Sequence, residues 1–257
     1  MPAKTKMRLF DSHCHLQFPQ YADDLPQVLE RMREASMGGV VVGTDYETSR
    51  AGLELAKQHD FLWAAVGLHP NDNATEQFDS DKYKALARDP KVVAIGECGL
   101  DYFRSSGEGQ KERFEAHIAL AKKLGKALII HCRDAHDDCS SILQKTRICE
   151  SVPVIIHFCT VSGEVAQQYL DLGCYLSFPG PVTFTDMYDD SIRLCPLQRL
   201  LIETDAPFAA PAPYRGKRNE PAYVVEVARK VAALKGLSVD EVAEAAVKNA
   251  QAAFGLH

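Results

Sequence analysis

The sequence predicts an α/β protein, a closed (β/α)8 barrel of the TIM-barrel class with an extra C-terminal helix. Its 257 residues, 46% of them hydrophobic, suit such a barrel, which folds as one unit at this size. Eight short apolar runs alternate with longer segments of helical periodicity. Polar residues suited to metal ligation follow most of these runs, where a barrel collects its functional side chains. A doubly wound open sheet is the competing architecture.

The eight predicted strands are mostly continuous apolar runs, as expected for parallel strands that are covered on both faces. In chain order they are Met7–Phe10, Gly39–Gly43, Leu62–Gly67, Val92–Gly96, Ala127–Ile130, Val154–Ile156, Cys174–Ser177 and Leu200–Ile202. No linker rich in Pro, Gly or Ser interrupts them, so we expect one domain over residues 1–257.

Amphipathic segments between the strands predict helices. The clearest are Leu25–Ala35, Arg50–Gln58, Phe114–Leu124, Val165–Leu172 and Val224–Leu234. Glycines stand where helices should end, and residues with short polar side chains stand where helices should begin. The predicted C-caps are Gly125, Gly173 and Gly236, and the predicted N-caps are Asp79, Ser162 and Ser238.

Composition limits the function classes. The formal charge is −6, from 29 basic and 35 acidic residues, which argues against binding nucleic acid through a broad basic surface. No apolar stretch reaches the roughly 18 residues of a membrane helix, and the N-terminus has no hydrophobic signal region. We therefore expect a cytoplasmic monomer with no obligate protein partner. The eight cysteines form no CxxC pair, which favours free thiols.

The strongest signal is a set of polar residues placed just after the strands. They are His13 and His15 after the first strand, His69 after the third, Glu97 after the fourth, His131 after the fifth, His157 after the sixth and Asp205 after the eighth. From His13 to Asp205 is 192 residues (205 − 13), or about 27 for each of seven β/α units, close to the barrel repeat. Such placement predicts one cluster at the carboxyl end of a barrel.

The donor types in this cluster suit divalent metal ions. His13 and His15 are two residues apart on an extended chain, so both side chains point to one face. Five or six ligands exceed the needs of one catalytic ion, which usually keeps an open position. Two ions about 3.5–4 Å apart that share a carboxylate would use all the ligands. Glu97, on the middle strand, is the natural bridge between two such ions.

The cysteines beside these residues suggest thiolate ligation, but the strand period argues against it. Cys14, Cys98 and Cys132 are each one residue out of phase with a proposed ligand, so they should face the helices. Cys159 is in phase with His157 but lies one step further along the chain. We expect all four to be small packing residues.

Six motifs carry a resemblance to a known family. They are Phe10-Asp-Ser-His-Cys-His-Leu16, Gly67-Leu-His-Pro70, Ile95-Gly-Glu-Cys-Gly-Leu-Asp101, His131-Cys-Arg-Asp-Ala135, Glu203-Thr-Asp-Ala-Pro207 and Tyr214-Arg-Gly-Lys-Arg-Asn-Glu-Pro221. Together they resemble the TatD family of metal-dependent deoxyribonucleases, which are barrels of the metal-dependent hydrolase type. One departure is the segment His157-Phe-Cys-Thr-Val161, where the family usually has His-Cys-Phe-Thr-Gly.

The resemblance implies DNA as substrate, and the acidic net charge favours single strands or strand ends over an extended duplex. The donor types leave the two divalent cations open among Mg²⁺, Mn²⁺ and Zn²⁺. The resemblance implies that His13, His15, Glu97 and Asp205 bind one ion, and that Glu97, His131 and His157 bind the other. In this reading Asp205 is both a ligand and the proton acceptor for the attacking water, and Glu97 is the second catalytic residue.

Substrate-binding candidates surround this cluster. His69 and Arg133 should face the pocket, where a guanidinium could hold a phosphate by two hydrogen bonds. The loop after the last strand adds Tyr214, Arg215, Lys217 and Arg218 on the expected active-site face. Tyr214 or Phe208 could stack on a base.

Three other functions use the same features. The first is a C–N hydrolase, but many such barrels bridge their ions with a carbamylated lysine, and the nearest one here, Lys91, lies before the fourth strand. The second is a D-aminoacyl-tRNA deacylase, which needs the same water and a different pocket. The third is a metal-bound protein without catalysis, which a full ligand set disfavours.

Overall fold

The computed structural model describes residues 7–71, 76–105 and 107–256. Its eight parallel strands pair in chain order to form one sheet. The strands are β1 (Leu9–Cys14), β2 (Met37–Val42), β3 (Leu62–Val66), β4 (Val92–Asp101), β5 (Ala127–Arg133), β6 (Val154–Ile156), β7 (Tyr175–Phe178) and β8 (Leu200–Ile202). The helices that follow them are α1 (Leu25–Glu34), α2 (Tyr46–Gln58), α3 (Ser80–Ala87), α4 (Gln110–Leu124), α5 (His136–Thr146), α6 (Gly163–Asp171), α7 (Asp189–Leu194), α8 (Val224–Lys235) and α9 (Val239–Phe254).

The sheet closes on itself where β1 meets the end of β8. The Asp205 amide donates to the His13 carbonyl at 2.9 Å, and the His15 amide donates to the Ala206 carbonyl at 2.7 Å. Cys14 and Ala206 form the corresponding parallel bridge. These bonds confirm the predicted barrel over the open sheet, and they bring residues 13–15 beside residue 205.

Five of the six predicted helix caps are confirmed, and the exception is Gly173, because the C-cap of α6 is Leu172, one residue earlier. The side chain of Ser162 accepts from the Val165 amide, and Ser238 makes a reciprocal capping box with Glu241. Gly125 and Gly236 end α4 and α8 in the left-handed conformation, which glycine adopts without a steric penalty.

The predicted extra helix is α9, and it closes the amino-terminal end of the barrel. Its Phe254 ring stacks on Phe10 of β1 at a centroid distance of 6.2 Å. Inward residues of the strands and one face of α9 form a single apolar cluster, while a second cluster lies between the strands and the outer helices. The amino-terminal end of the barrel is therefore apolar and filled. The proposed ligands lie at the opposite, carboxyl end, where barrels of this class have their active sites.

Three strands extend at least three residues beyond the carboxyl ends that their apolar runs predict. β1 continues to Cys14, β4 to Asp101 and β5 to Arg133. The strands therefore include three of the proposed ligands, His13, Glu97 and His131, which were expected to follow them. Polar side chains ended each apolar run in the sequence, but backbone pairing with the neighbouring strands continues through them.

The cysteine prediction holds for three of the four positions. Cys14, Cys98 and Cys159 are fully buried in the outer cluster. Cys132 packs against the same cluster but is only partly buried, and it also borders the cavity at the carboxyl end. The difference arises at the end of β5, where burial decreases over its last three residues. All eight cysteines are free.

In the described part of the chain, no helix is both long enough and apolar enough to cross a membrane.

Candidate metal centre

The strands that carry the proposed ligands depart from regular pairing at those ligands. The register of β1 with β2 shifts between Asp11 and Cys14, and the register of β4 with β5 shifts between Ile95 and Cys98. Irregularities of this kind redirect side chains at strand ends and are common beside active sites. The two shifts span His13 and Glu97.

Gly96 makes the position of Glu97 possible. Its φ is +135°, and a Cβ there would lie 2.4 Å from the carbonyl oxygen of Ile129. Only glycine tolerates both the left-handed conformation and the close approach of β5. The motif Gly-Glu therefore reflects backbone geometry as well as chemistry.

The carboxylate of Glu97 faces two separate groups of histidines, one with each oxygen. Its Oε2 lies 3.2 Å from His13 Nε2 and 3.9 Å from His15 Nε2. Its Oε1 lies 3.0 Å from His131 Nδ1 and 3.1 Å from His157 Nε2. The two oxygens of one buried side chain thus face histidines from the ends of three strands, β1, β5 and β6.

Asp205 completes the group on the Oε2 side. Its Oδ1 lies 3.3 Å from His15 Nε2 and 3.8 Å from His13 Nε2. Its backbone has a φ of +55°, which is uncommon outside glycine and recurs where a side chain is held for function. His69 joins the opposite group, with Nε2 at 3.5 Å from Glu97 Oε1.

Hydrogen bonds on the far side of the imidazoles fix how the rings are oriented. His15 Nδ1 donates to the Val42 carbonyl at 2.7 Å, and His157 Nδ1 donates to Glu203 Oε1 at 2.9 Å. Both rings therefore offer Nε2 to the centre. Metal-binding histidines are held in this way, with the second nitrogen bonded to a carbonyl or a carboxylate.

Proton affinities in the cluster are strongly coupled. Burial acts to raise the pKa of Glu97, but His157, His69 and His13 outweigh it, and the pKa lies well below its usual value. Burial acts to lower the pKa of His157, but Glu203 and Glu97 outweigh it and the pKa is raised. For Asp205, burial is likewise outweighed by the bond to His15, and its pKa is lowered. The carboxylates are therefore ionised at neutral pH.

These residues fit a divalent cation. Carboxylate oxygens and imidazole nitrogens lie within 3.0–3.9 Å of one another, and such acceptors approach closely only around a proton or a metal ion. Groups of ligand atoms compact enough for an ion are His13, His15 and Glu97; His69, Glu97 and His131; and His13, His157 and Glu203. Each of the three groups contains both nitrogen and oxygen donors, as borderline ions such as Zn²⁺ and Mn²⁺ accept.

A cavity of about 630 Å³ opens above this cluster. Its volume falls in the range of small-molecule sites. Besides the histidines and carboxylates, its wall includes Phe18, Arg104, Arg133, Phe158, Thr160, Val161, Tyr188 and Phe208. Three of these, Phe158, Thr160 and Val161, belong to the segment in which the sequence departs from the family pattern.

The predicted substrate residues are not all in this cavity. His69 and Arg133 line it, and the Arg133 guanidinium covers the Phe103 ring at 3.7 Å from the centroid. The loop residues lie outside the lining: Arg215 covers Phe184 at 4.0 Å, and Lys217 is exposed.

The other two loop residues are engaged elsewhere. Tyr214 stacks on Tyr223 at 3.6 Å. Arg218 forms two hydrogen bonds with Asp24 and covers Tyr21. The position of this basic, Pro-rich loop after the last strand predicted the end of the barrel on which it lies. It did not predict which residues its side chains contact.

Three buried acids support the centre and were not singled out from the sequence. Asp101 Oδ2 lies 3.1 Å from His131 Nε2, and this contact outweighs burial to lower the pKa of Asp101 to about 2. Glu203 accepts from His157 and from the Phe158 amide. Asp11 accepts from the His13 and Thr204 amides, which ties β1 to the segment after β8. The available signal was their place within the motifs, at or beside strand ends.

Fold and site together define a class. A barrel that collects histidines and carboxylates around one glutamate at its carboxyl end is a metal-dependent hydrolase. The family model described as TatD related DNase matches residues 10–255, and the chain therefore belongs to the TatD family.

Individual relatives agree with this assignment. YabD of Bacillus subtilis (strain 168), named as an uncharacterized metal-dependent hydrolase, is 44% identical over 97% of this chain and 100% of its own length. The 3′-5′ ssDNA/RNA exonuclease TatD of Erwinia amylovora is 35% identical over 96% of this chain and all of its own. The crystal structure of YJJV, a TatD homologue from Escherichia coli K12, superposes with a TM-score of 0.90 at 30% identity, covering 97% of this chain and 99% of that one.

Proposed function

We propose that this chain is a TatD-like deoxyribonuclease that hydrolyses DNA phosphodiester bonds in single strands or at strand ends, using two divalent cations. The observation that carries the proposal is the division of Glu97 between two donor groups, one for each oxygen. Two-metal sites on phosphoesters use a shared carboxylate in this way. The relative from Erwinia, named as an exonuclease on single-stranded DNA and RNA, supports the choice of substrate.

In this proposal His13, His15, Glu97 and Asp205 hold one ion, and Glu97, His131 and His157 hold the other. The ion could be Mg²⁺, Mn²⁺ or Zn²⁺. When bound, the cations would supply Lewis-acid activation of water and would neutralise charge on the scissile phosphate. Asp205 is ionised and partly exposed to the cavity, so it is suited to accept the proton of the attacking water.

Two side chains of the wall suit the phosphate. Arg133 is exposed at the end of β5 and lines the cavity, where its guanidinium can donate two hydrogen bonds. His69 lies beside Glu97 and His131 and can donate to a phosphate oxygen. Together they would orient the substrate over the cluster.

The second candidate is hydrolysis of an amide or of a D-aminoacyl-tRNA ester. Against a carbamylated-lysine amidohydrolase, Lys91 donates to the His59 and Leu62 carbonyls, before β3 and at its first residue. The cavity-lining residues of the described chain also include no lysine. A bridging Glu97 therefore favours the phosphodiester.

The test measures three substrates with one preparation: a single-stranded oligonucleotide, the same sequence as a duplex, and tRNA charged with D-tyrosine. With Mg²⁺, Mn²⁺ or Zn²⁺ added, we expect cleavage of the single strand, slower cleavage of the duplex and no release of D-tyrosine. Release of D-tyrosine without oligonucleotide cleavage would contradict the proposal and select the deacylase.

A further inference from the structure

The exposed phenylalanines of the described chain all lie at the carboxyl end of the barrel. They are Phe103 (62% exposed) after β4, Phe184 (39%) after β7 and Phe208 (46%) after β8. Isolated exposed apolar side chains are ordinary, but a group of exposed rings at the same end of the barrel, where Phe208 also lines the cavity, marks a binding surface.

Two of these rings carry an arginine on one face. Arg133 lies over Phe103, with Cζ 3.7 Å from the ring centroid, and Arg215 lies over Phe184 at 4.0 Å. Because Phe103 is still 62% exposed, most of the ring surface that the guanidinium does not cover faces solvent. Each pair therefore presents an open aromatic face beside a fixed positive charge.

The two pairs occupy different sides of the mouth. Phe103 and Arg133 belong to the ends of β4 and β5, whereas Phe184 and Arg215 follow β7 and β8, three strands further around the barrel. The cluster around Glu97 lies between them, at the base of the cavity. A chain that contacts both pairs must therefore cross the opening.

We propose that the pairs Phe103–Arg133 and Phe184–Arg215 are two nucleotide-binding platforms, on which a single strand stacks one base at each ring and bonds its phosphates to the arginines. Bases stack on aromatic rings without regard to sequence, and arginines beside the rings hold the backbone. A duplex keeps its bases stacked internally, so this arrangement selects single strands. The inference rests on the proposed nuclease function for the identity of the ligand.

The pairs also account for the charge balance. The whole chain carries −6, so attraction to a polyanion must be local. Arg104 and Arg133 provide positive charge in the cavity wall, and Arg215 adds a charge outside it, over Phe184. The acidic residues of the wall are Glu97, Asp134 and Asp205. Binding should therefore be modest in strength and sensitive to salt.

The test measures binding of the metal-loaded protein to fluorescein-labelled oligothymidine 12-mers with phosphorothioate linkages, which resist cleavage. A second probe has the same charge but tetrahydrofuran spacers in place of the thymidines. The variants are F103L, F184L and the double variant. F61L is the matched control, because Arg33 covers Phe61 at 5.3 Å in the same kind of pair, just before β3 at the other end of the barrel.

We expect each of F103L and F184L to weaken binding of the oligothymidine about fivefold, and the double variant about 25-fold, the lower end of the stacking range. The spacer probe should bind wild type as weakly as it binds the double variant, and F61L should leave both affinities unchanged. Equal affinity of wild type and double variant for oligothymidine, or no preference of wild type for bases, would overturn the platforms.

The proposed function is tested separately, by cleavage of unmodified oligothymidine with divalent ions. Ring-dependent binding without cleavage would retain the platforms and reject the nuclease. Cleavage with no dependence on the rings would reject the platforms alone.

Discussion

The imidazole of His157 connects Glu203 to Glu97. Its Nδ1 donates to Glu203 Oε1 at 2.9 Å, while its Nε2 lies 3.1 Å from Glu97 Oε1. Glu203 is fully buried, and its Oε2 has no hydrogen-bond partner among the described residues; the same holds for His13 Nδ1. The ligand atoms of His13, His157 and Glu203 lie close enough together to hold an ion. Glu203 is therefore close to both histidines.

This relationship predicts that Glu203 is a positioning residue. E203Q keeps the size of the side chain but weakens its pull on His157 Nδ1–H, so metal affinity should fall about 10- to 100-fold. Excess metal should restore most of the activity. E150Q, on a surface glutamate paired with Arg147, is the control. Metal titration of activity measures the shift, and an unchanged midpoint would refute the role.

Removing the shared carboxylate should have a larger effect. E97A deletes the oxygens that face both histidine groups, so we expect loss of bound metal and of activity, with no rescue by excess ion. Metal analysis after gel filtration, with circular dichroism as the check on folding, measures this. An E97A protein with normal metal content and full activity would contradict the assignment.

Asp205 should separate metal retention from proton transfer. D205N keeps an oxygen donor but lacks a basic carboxylate, and general-base action typically contributes 10²–10⁴-fold. We expect kcat to fall within that range while the protein still binds metal. A kcat within threefold of wild type would remove Asp205 from the proton-transfer role.

Gly96 should be intolerant of any side chain. In G96A the new Cβ would meet the Ile129 carbonyl at 2.4 Å with φ at +135°, so the free energy of unfolding should fall by about 1–3 kcal/mol and Glu97 should move. G109A is the matched control, because Gly109 also has a positive φ but open space around it. Urea unfolding compares the two; equal destabilisation would show that crowding by β5 is unimportant.

His117 should make stability depend on pH. It is fully buried away from the metal cluster, accepts from the Leu68 amide and donates to the Arg113 carbonyl, and burial lowers its pKa from 6.5 to about 3. In the unfolded chain the imidazole of His117 is protonated below about pH 6.5, whereas in the folded protein it is protonated only below about pH 3. Stability is therefore complete above pH 6.5 and falls as pH decreases, by up to about 1.4 kcal/mol per unit from this group.

The variant H117Q keeps an acceptor for Leu68 but cannot titrate. Its free energy of unfolding should fall less between pH 7 and pH 5 than that of wild type, measured in urea with a chelator present. Identical slopes for the two proteins would mean that His117 is not the source.

The sequence predicted the barrel and the six proposed ligands because both depend on local patterns. Apolar runs mark the strands, and the polar residue that ends a run marks the carboxyl end of the barrel. The lengths of β1, β4 and β5 were underestimated. Strand pairing depends on two segments of the chain, so the pattern of one segment does not show where its pairing ends.

Contacts between distant side chains were beyond prediction for the same reason. Arg218 pairs with Asp24, which lies 194 residues away in the sequence, and Arg215 covers Phe184. The basic residues of this loop therefore contact different partners, and the sequence pattern does not identify them. Asp101 and Glu203 resembled ordinary motif positions until their distances to His131 and His157 were known.

The most direct test of the two-metal account is the stoichiometry of activation. Metal-free protein is titrated with Mn²⁺ while cleavage of a single-stranded oligonucleotide is followed. We predict no cleavage in chelator, and activity that rises with added ion until about two equivalents are bound per chain. Saturation at one equivalent, or cleavage that persists in chelator, would contradict the account.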